Sequence, residues 1–350
     1  MNALPPPGST VIIDHKSTSK DIEDGRPYWR SLRLDHQVST YLTGARALGY
    51  EPVGALWDVI RKPRVDRILA TPEADRKYTK ATKKEPARLF KGQRIDDEPL
   101  AEYRARLRAD IEGSPDAYYR RAFVVRMAEE ERNAAEDAFA VSEQIAFAMK
   151  RESIHGWPRT PGACERYFRL CDYWPVCTGE ASIDNDLLFR TGDEHEELST
   201  PPMMGDGKRH LPLITSSGMT VFQRCAREYF YSYVLRRRTL KKADALTFGT
   251  LLHVGLEAWW KTVDLESVYK AVAQASDDEV SIVQVEELLR GYHARWITEP
   301  FDVLAVEEQF RAPLINPATG RPSRQFEMGG KIDAIARVTE ASADELGAAS

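Results

Sequence analysis

Two short apolar runs, one near each end of this 350-residue chain, each sit against a carboxylate. Thr10-Val11-Ile12-Ile13 leads into Asp14-His15-Lys16, and Gly329-Gly330-Lys331-Ile332-Asp333 opens the run Ala334 to Val338. β-branched runs of this length read as strands. Asp14 and Lys16 are two apart, so a strand projects both from one face. If the two strands pair, Asp333 becomes a second carboxylate beside the first, and the fold must join the two ends of the chain.

That grouping suits phosphodiester hydrolysis. The reaction needs a positioned water, a cation that lowers its pKa and neutralises the non-bridging oxygens, and carboxylates to hold the cation. Magnesium keeps several of its waters, so two or three side chains suffice. By itself Asp-x-Lys is more often a solvated pair; its surroundings make it specific.

Five segments together resemble the PD-(D/E)XK nucleases, in particular their RecB/AddB-like exonuclease branch with a four-cysteine iron–sulfur cluster. Gly249-Thr250-Leu251-Leu252-His253 resembles the helix that presents a metal-ligating histidine, and Val306-Glu307-Glu308-Gln309-Phe310 the strand with a supporting acid. Gly330-Lys331-Ile332-Asp333 resembles the GxxD motif, Asp14-His15-Lys16-Ser17 the DxK motif, and Gln37-Val38-Ser39-Thr40-Tyr41 the QxxxY motif, whose ends lie one helical turn apart. In that family GxxD precedes DxK; here it follows, so the chain resembles a circularly permuted member. The bland alternatives are a core histidine at 253, a solvated Glu307, and a core Tyr41 whose hydroxyl needs a partner. The choice of Glu307 over Glu308 rests on spacing to Phe310.

The chain has four cysteines, Cys164, Cys171, Cys177 and Cys225. Without a recognisable leader, disulfides are disfavoured and ligation gains weight. Three cysteines in a loop and one alone resemble the cluster-binding set of AddB and of CRISPR-associated four-cysteine exonucleases, although the six residues between the first two are more than the family usually shows. Four thiolates suit zinc as well as [4Fe–4S]. The resemblance implies the cluster, in a structural role.

The resemblance implies an α/β fold with a restriction-endonuclease-like core, a small mixed sheet flanked by helices, carrying helical insertions and the four-cysteine cluster. Residues 1–178 would be the C-terminal half of the core, 179–211 a linker, and 212–350 its N-terminal half, together one domain. Helices are expected over Trp29–Gly49, Leu100–Ile111, Phe123–Lys150, Ser216–Arg238, Phe248–Trp260 and Val280–Ile297. Strands are expected over Val53–Ile60, Val303–Leu314 and Phe326–Val338, with a frayed tail from Ala341.

With 42% hydrophobic and 29% charged residues and no run of about 18 apolar residues, the composition is that of a cytoplasmic globular protein with no membrane partner. Net charge is −5, which argues against indiscriminate coating of DNA. Locally, Arg76 to Arg94 carries eight basic residues and one acid, Glu85, in what reads as a loop. A second basic group is Arg236-Arg237-Arg238 with Lys241-Lys242.

The expected function is a magnesium- or manganese-dependent DNA exonuclease of recombination, repair or phage DNA processing, acting on single strands or duplex ends, with a helicase or recombination partner. The resemblance gives metal binding to Asp14, Asp333, His253 and the His15 carbonyl, support to Glu307, the transition-state phosphate or attacking water to Lys16, and strand positioning to Gln37 and Tyr41. The competing readings are a catalytically silent DNA-binding or assembly module of the same fold and a zinc-stabilised interaction domain. A domain-swapped dimer would also complete the site.

Overall fold

The computed structural model describes residues 5–80, 87–151, 154–166, 169–196, 198, 211–240 and 244–340. Its centre is a six-stranded mixed sheet. The strands are β1 (Thr10–Thr18), β2 (Pro52–Arg61), β3 (Tyr119–Val124), β4 (Leu213–Ile214), β5 (Phe301–Ile315) and β6 (Pro322–Val338). β1 lies parallel to β2 on one side and antiparallel to β6 on the other. β3 extends the sheet beyond β2, β4 pairs with the first part of β6, and β5 forms a long hairpin with β6. The sheet is therefore built from both ends of the chain, and helices cover both faces, as in a restriction-endonuclease-like core.

Strand alternation sorts the core. Ile12 joins the cluster on one face with Val38, Leu42 and Trp57, while Val11 and Ile13 join the other with Leu252, Leu256 and Leu289. Both faces being covered is why β1 and β2 read as nearly continuous apolar runs. The first face carries α1 (His36–Ala47), α3 (Ala128–Met149) and α4 (Ser216–Arg224). The second carries α2 (Leu100–Gly113), α5 (Asp244–Thr262), α6 (Leu265–Ala275) and α7 (Glu279–Trp296). Buried Glu287 ties α7 to α2 through Arg104 and Arg108.

Close approach of α1 to the hairpin depends on two glycines. A Cβ on Gly44 would lie 2.4 Å from the Phe310 ring, and one on Gly330 2.7 Å from its other side. Phe310 thus fills a slot between helix and strand, and Tyr41 meets it edge to face at 6.3 Å.

Several boundaries differ from the sequence expectation. The helix expected from Trp29 is interrupted at Asp35, whose side chain accepts the Gln37 amide at 2.8 Å and starts α1 afresh. Phe123 and Val124, where the expected helix began, instead end the edge strand β3, because pairing with β2 overrides the helical pattern; α3 begins at Ala128, with Glu130 accepting the Met127 amide. The helix expected over Ser216–Arg238 is capped by Thr215, breaks at Cys225 and resumes over residues 226–234, where it ends. Arg237–Thr239 instead pairs with Phe189–Thr191, so the expected linker contains structure of its own. Pro201-Pro202, Lys241-Lys242, Lys83 to Glu85 and the tail from Ala341 lie outside the described residues.

Candidate active site

The site lies where β1 and β6 part. Their ladder runs from Thr10↔Arg337 to Ile13↔Ala334 and stops, while β1 stays paired with β2 as far as Thr18↔Arg61. The next position on each strand is a carboxylate, Asp14 and Asp333. At the fork a side chain replaces the missing main-chain partner: the His15 amide donates to Asp333 Oδ2 at 2.8 Å.

Three elements converge on Asp333. His253 projects from α5, with Nδ1 3.8 Å from Asp333 Oδ2. Glu307 comes from β5, where it adopts φ +56°, a left-handed conformation unusual for a residue with a side chain. This local break in a hairpin strand carries Glu307 to the fork, and functional sites are where such strain collects. One ligand atom from each of His253, Glu307 and Asp333 lies within 4.8 Å of the others, the spacing of groups that can share one cation. Glu307 rather than Glu308 occupies this position. Lys331, which the sequence reading passed over, makes an ion pair with Glu307.

Asp14 and Lys16 stand beside this group. Lys16 Nζ donates to Asp14 Oδ1 at 3.1 Å and to Gln37 Oε1 at 2.7 Å, and Gln37 Nε2 donates to the Tyr41 hydroxyl at 2.6 Å. The two residues four apart on α1 therefore form one chain of hydrogen bonds ending on the lysine. Trp57 underlies the ammonium, 5.1 Å from its ring centre. Asp14 Oδ2 is buried with no hydrogen bond of its own, although the ammonium is 2.9 Å away. A buried carboxylate oxygen met only by the Lys16 ammonium among the described residues, beside a nitrogen-and-oxygen donor set, fits a hard divalent cation.

Electrostatics agree with that fit. Burial pushes the Asp14 carboxyl up to about 6, partly offset by Lys16 and reinforced by Asp333. Burial also raises Glu307, against the pull of Lys331. For His253, burial lowers the pKa despite Asp333, which favours the neutral, ligating imidazole. Burial would lower Lys16, but Asp14 and Asp333 outweigh it and hold the ammonium charged.

His15 turns to the other face of β1. Its Nδ1 lies 2.9 Å from Asp58 Oδ2 on β2, and its ring meets that of His253 edge to face at 6.3 Å, so the imidazole backs the site while its main chain reaches the fork. Asp58, also missed in the sequence, is held by Arg121 Nε at 2.8 Å and the Tyr292 hydroxyl at 2.5 Å. Burial alone would raise the Asp58 carboxyl; Arg121 and His15 keep it far below the carboxylate range. A lone acid inside the apolar run Gly54 to Ile60 was the available signal.

The four cysteines form no disulfide and line one pocket with Arg159, Ala163, Tyr173, Trp174 and Glu228. The Cys171 amide donates to the Cys164 carbonyl at 2.7 Å, which closes the loop between them. Burial pushes the Cys171 thiol up to about 11 and raises Cys177 too, so thiolates here need a cation.

Metal-free protein should lose stability as pH rises from about 4 to 6, because the Asp14 carboxyl, ordinarily near 3.8, must ionise at about 6 when folded. Above 6 that cost is constant, and a divalent cation offsets it. The melting-temperature gain from manganese should therefore grow between pH 5 and 7, and Asp14→Asn should flatten that growth in a thermal-shift titration.

No curated protein and no solved structure matches the chain. Residues 214–344, which include His253, Glu307 and Asp333 but neither Asp14 nor Lys16, match the family model of the PD-(D/E)XK nuclease superfamily, whose members typically use divalent metals.

Proposed function

We propose that this protein is a magnesium- or manganese-dependent DNA exonuclease, and the observation that carries the reading is the meeting at one fork of the family-matched residues with Asp14 and Lys16 from outside the match. His253, Glu307, Asp333 and Asp14 are the residues that would hold the cation. The cation would neutralise phosphate oxygens and acidify the attacking water. Lys16, kept charged by the two aspartates and aimed by Gln37, steadies charge on the phosphate in the transition state. Tyr41 fixes the Gln37 amide so that its oxygen, not its nitrogen, faces the ammonium. The retained lysine and paired carboxylates favour cleavage over a silent binding module.

On labelled single- and double-stranded DNA with manganese, Lys16→Ala and Asp333→Ala should each cut the rate by at least about a hundredfold, in the range that loss of a transition-state contact costs. Tyr41→Phe should cost less. Undiminished cleavage by Lys16→Ala would sink the assignment.

We further propose that the cysteine pocket holds a [4Fe–4S] cluster fastening residues 164–177 to Cys225. Zinc with sulfur at about 2.3 Å draws four thiolates within ~4 Å of one another. Four thiols lining one pocket are equally the ligand set of a [4Fe–4S] cluster, the centre that the cysteine layout resembles. Anaerobically purified protein should be brown with visible absorbance that Cys225→Ala removes. A colourless protein with one zinc per chain would overturn this.

The inverted motif order is explained by circular permutation in one domain. In support, β1 pairs with β6 within the chain, and the Val338 amide donates to the Ser9 carbonyl at 2.9 Å. A relinked chain that joins Val338 to Ser9 through a short turn, and opens within 179–211, should fold and keep its nuclease rate; an insoluble or inactive product would count against permutation. Recombination, repair or phage DNA processing is the setting that such an activity fits.

A further inference from the structure

Between β2 and α2 the chain makes a long excursion, residues 62–99, that is pinned at its base. Buried Glu98 accepts Arg106 Nε at 2.9 Å and Nη2 at 2.7 Å and the Ile68 amide at 2.9 Å, and Arg106 keeps its carboxyl down at about 2. Farther out, the Thr71 amide donates to the Arg94 carbonyl at 2.9 Å, and Gln93 bridges the Lys77 amide and the Asp75 carbonyl. The excursion starts at the rim of the candidate active site. The Lys62 amide donates to the Thr18 carbonyl at 2.8 Å, and Lys62 Nζ stands 4.9 Å above the Phe248 ring, on the helix of His253.

Its outer part is a two-stranded antiparallel ribbon. Thr79 donates to the Arg88 carbonyl and Phe90 to the Lys77 carbonyl, both at 2.8 Å, on either side of the Tyr78↔Leu89 bridge. Opposed residues share a face. Phe90 therefore stands with Lys77, Thr79 and Arg88 on one face, and Tyr78 with Leu89 on the other. The rings are not packed away: Tyr78 is 52% exposed and Phe90 49%. Residues 76–80 and 87–94 carry six basic side chains and no acid. Among the described residues, no carboxylate pairs with Lys77, Lys80, Arg88 or Lys91.

Two half-bare aromatic rings on a hydrogen-bonded ribbon, four of whose basic side chains meet no carboxylate among the described residues, match an unpaired polynucleotide. Cations follow its phosphates, and rings stack on bases that a duplex would keep covered. We propose that this ribbon, on an excursion whose root lies beside the candidate active site, is a single-strand-binding arm that stacks unpaired bases on Phe90 on one face and on Tyr78 on the other. The proposal rests on DNA being the substrate and adds which form of it is held.

The test is fluorescence anisotropy with a labelled oligothymidylate and a matched duplex, in EDTA so that neither is cut. Tyr78→Ala/Phe90→Ala should weaken single-strand binding about tenfold or more, as loss of stacked bases does, and duplex binding less than twofold. Phe90→Trp should bind single strands at least as well as wild type. Photo-crosslinking to a 5-iododeoxyuridine oligonucleotide should label the peptide bearing Tyr78 or Phe90. Unchanged single-strand binding by the double variant, or equal losses on both DNAs, overturns the arm while leaving the nuclease reading intact. Wild type that binds neither DNA overturns both.

Discussion

Four residue pairs, Thr10↔Arg337 to Ile13↔Ala334, hold this molecule together. They place the first strand of the chain between β2 and the last strand, so that neither covering layer of helices has a complete surface without it. Ile12 and Ile13 are wholly buried on opposite faces. The abrupt end of the same ladder has a chemical result. Where β1 leaves β6, main-chain donors and carboxylates face a gap instead of a neighbouring strand, and the His15 amide turns to the Asp333 side chain.

The fork sits between two opposite electrostatic solutions. Behind β1, Asp58 is enclosed by Arg121, Tyr292 and His15, its charge matched within the protein. In front, Asp14, Glu307 and Asp333 crowd together, opposed among the described residues chiefly by Lys16 and Lys331, and burial raises Asp14 and Glu307 instead of being overcome. A buried acid matched by arginine is structural; buried acids left short of positive charge are poised to accept a cation. The rigid network behind fixes the strand that carries the unsatisfied group in front.

What could be read from the sequence follows from how local each signal is. The strands over Val53–Ile60 and Phe326–Val338 were legible because β-branched runs declare themselves, whereas Asp14, Lys16, Gln37 and Tyr41 stood out through their resemblance to family motifs, spacing adding only that each pair shares a face. The end of β3, Phe123 and Val124, reads as the start of a helix in isolation because only β2 makes it a strand. Lys331 passes as a spacer within GxxD, and Asp58, Arg121 and Tyr292 come from three distant elements whose meeting no spacing records. The φ of +56° at Glu307 likewise has no sequence mark, since the residue is not glycine.

The basic stretch after Arg76 shows the same limit from the other side. Composition gave its charge but described it as a loop, and charge alone suits any polyanion. The cross-strand hydrogen bonds change its meaning, because they decide which side chains stand together: Phe90 between Lys77 and Arg88, Tyr78 on the opposite face. A flexible loop would spend ordering entropy on every contact it made, whereas the pinned base at Glu98 settles that cost on folding. The same lysines and arginines thus pass from a diffuse attraction to a surface of defined shape, carried on an excursion that leaves the sheet beside the fork.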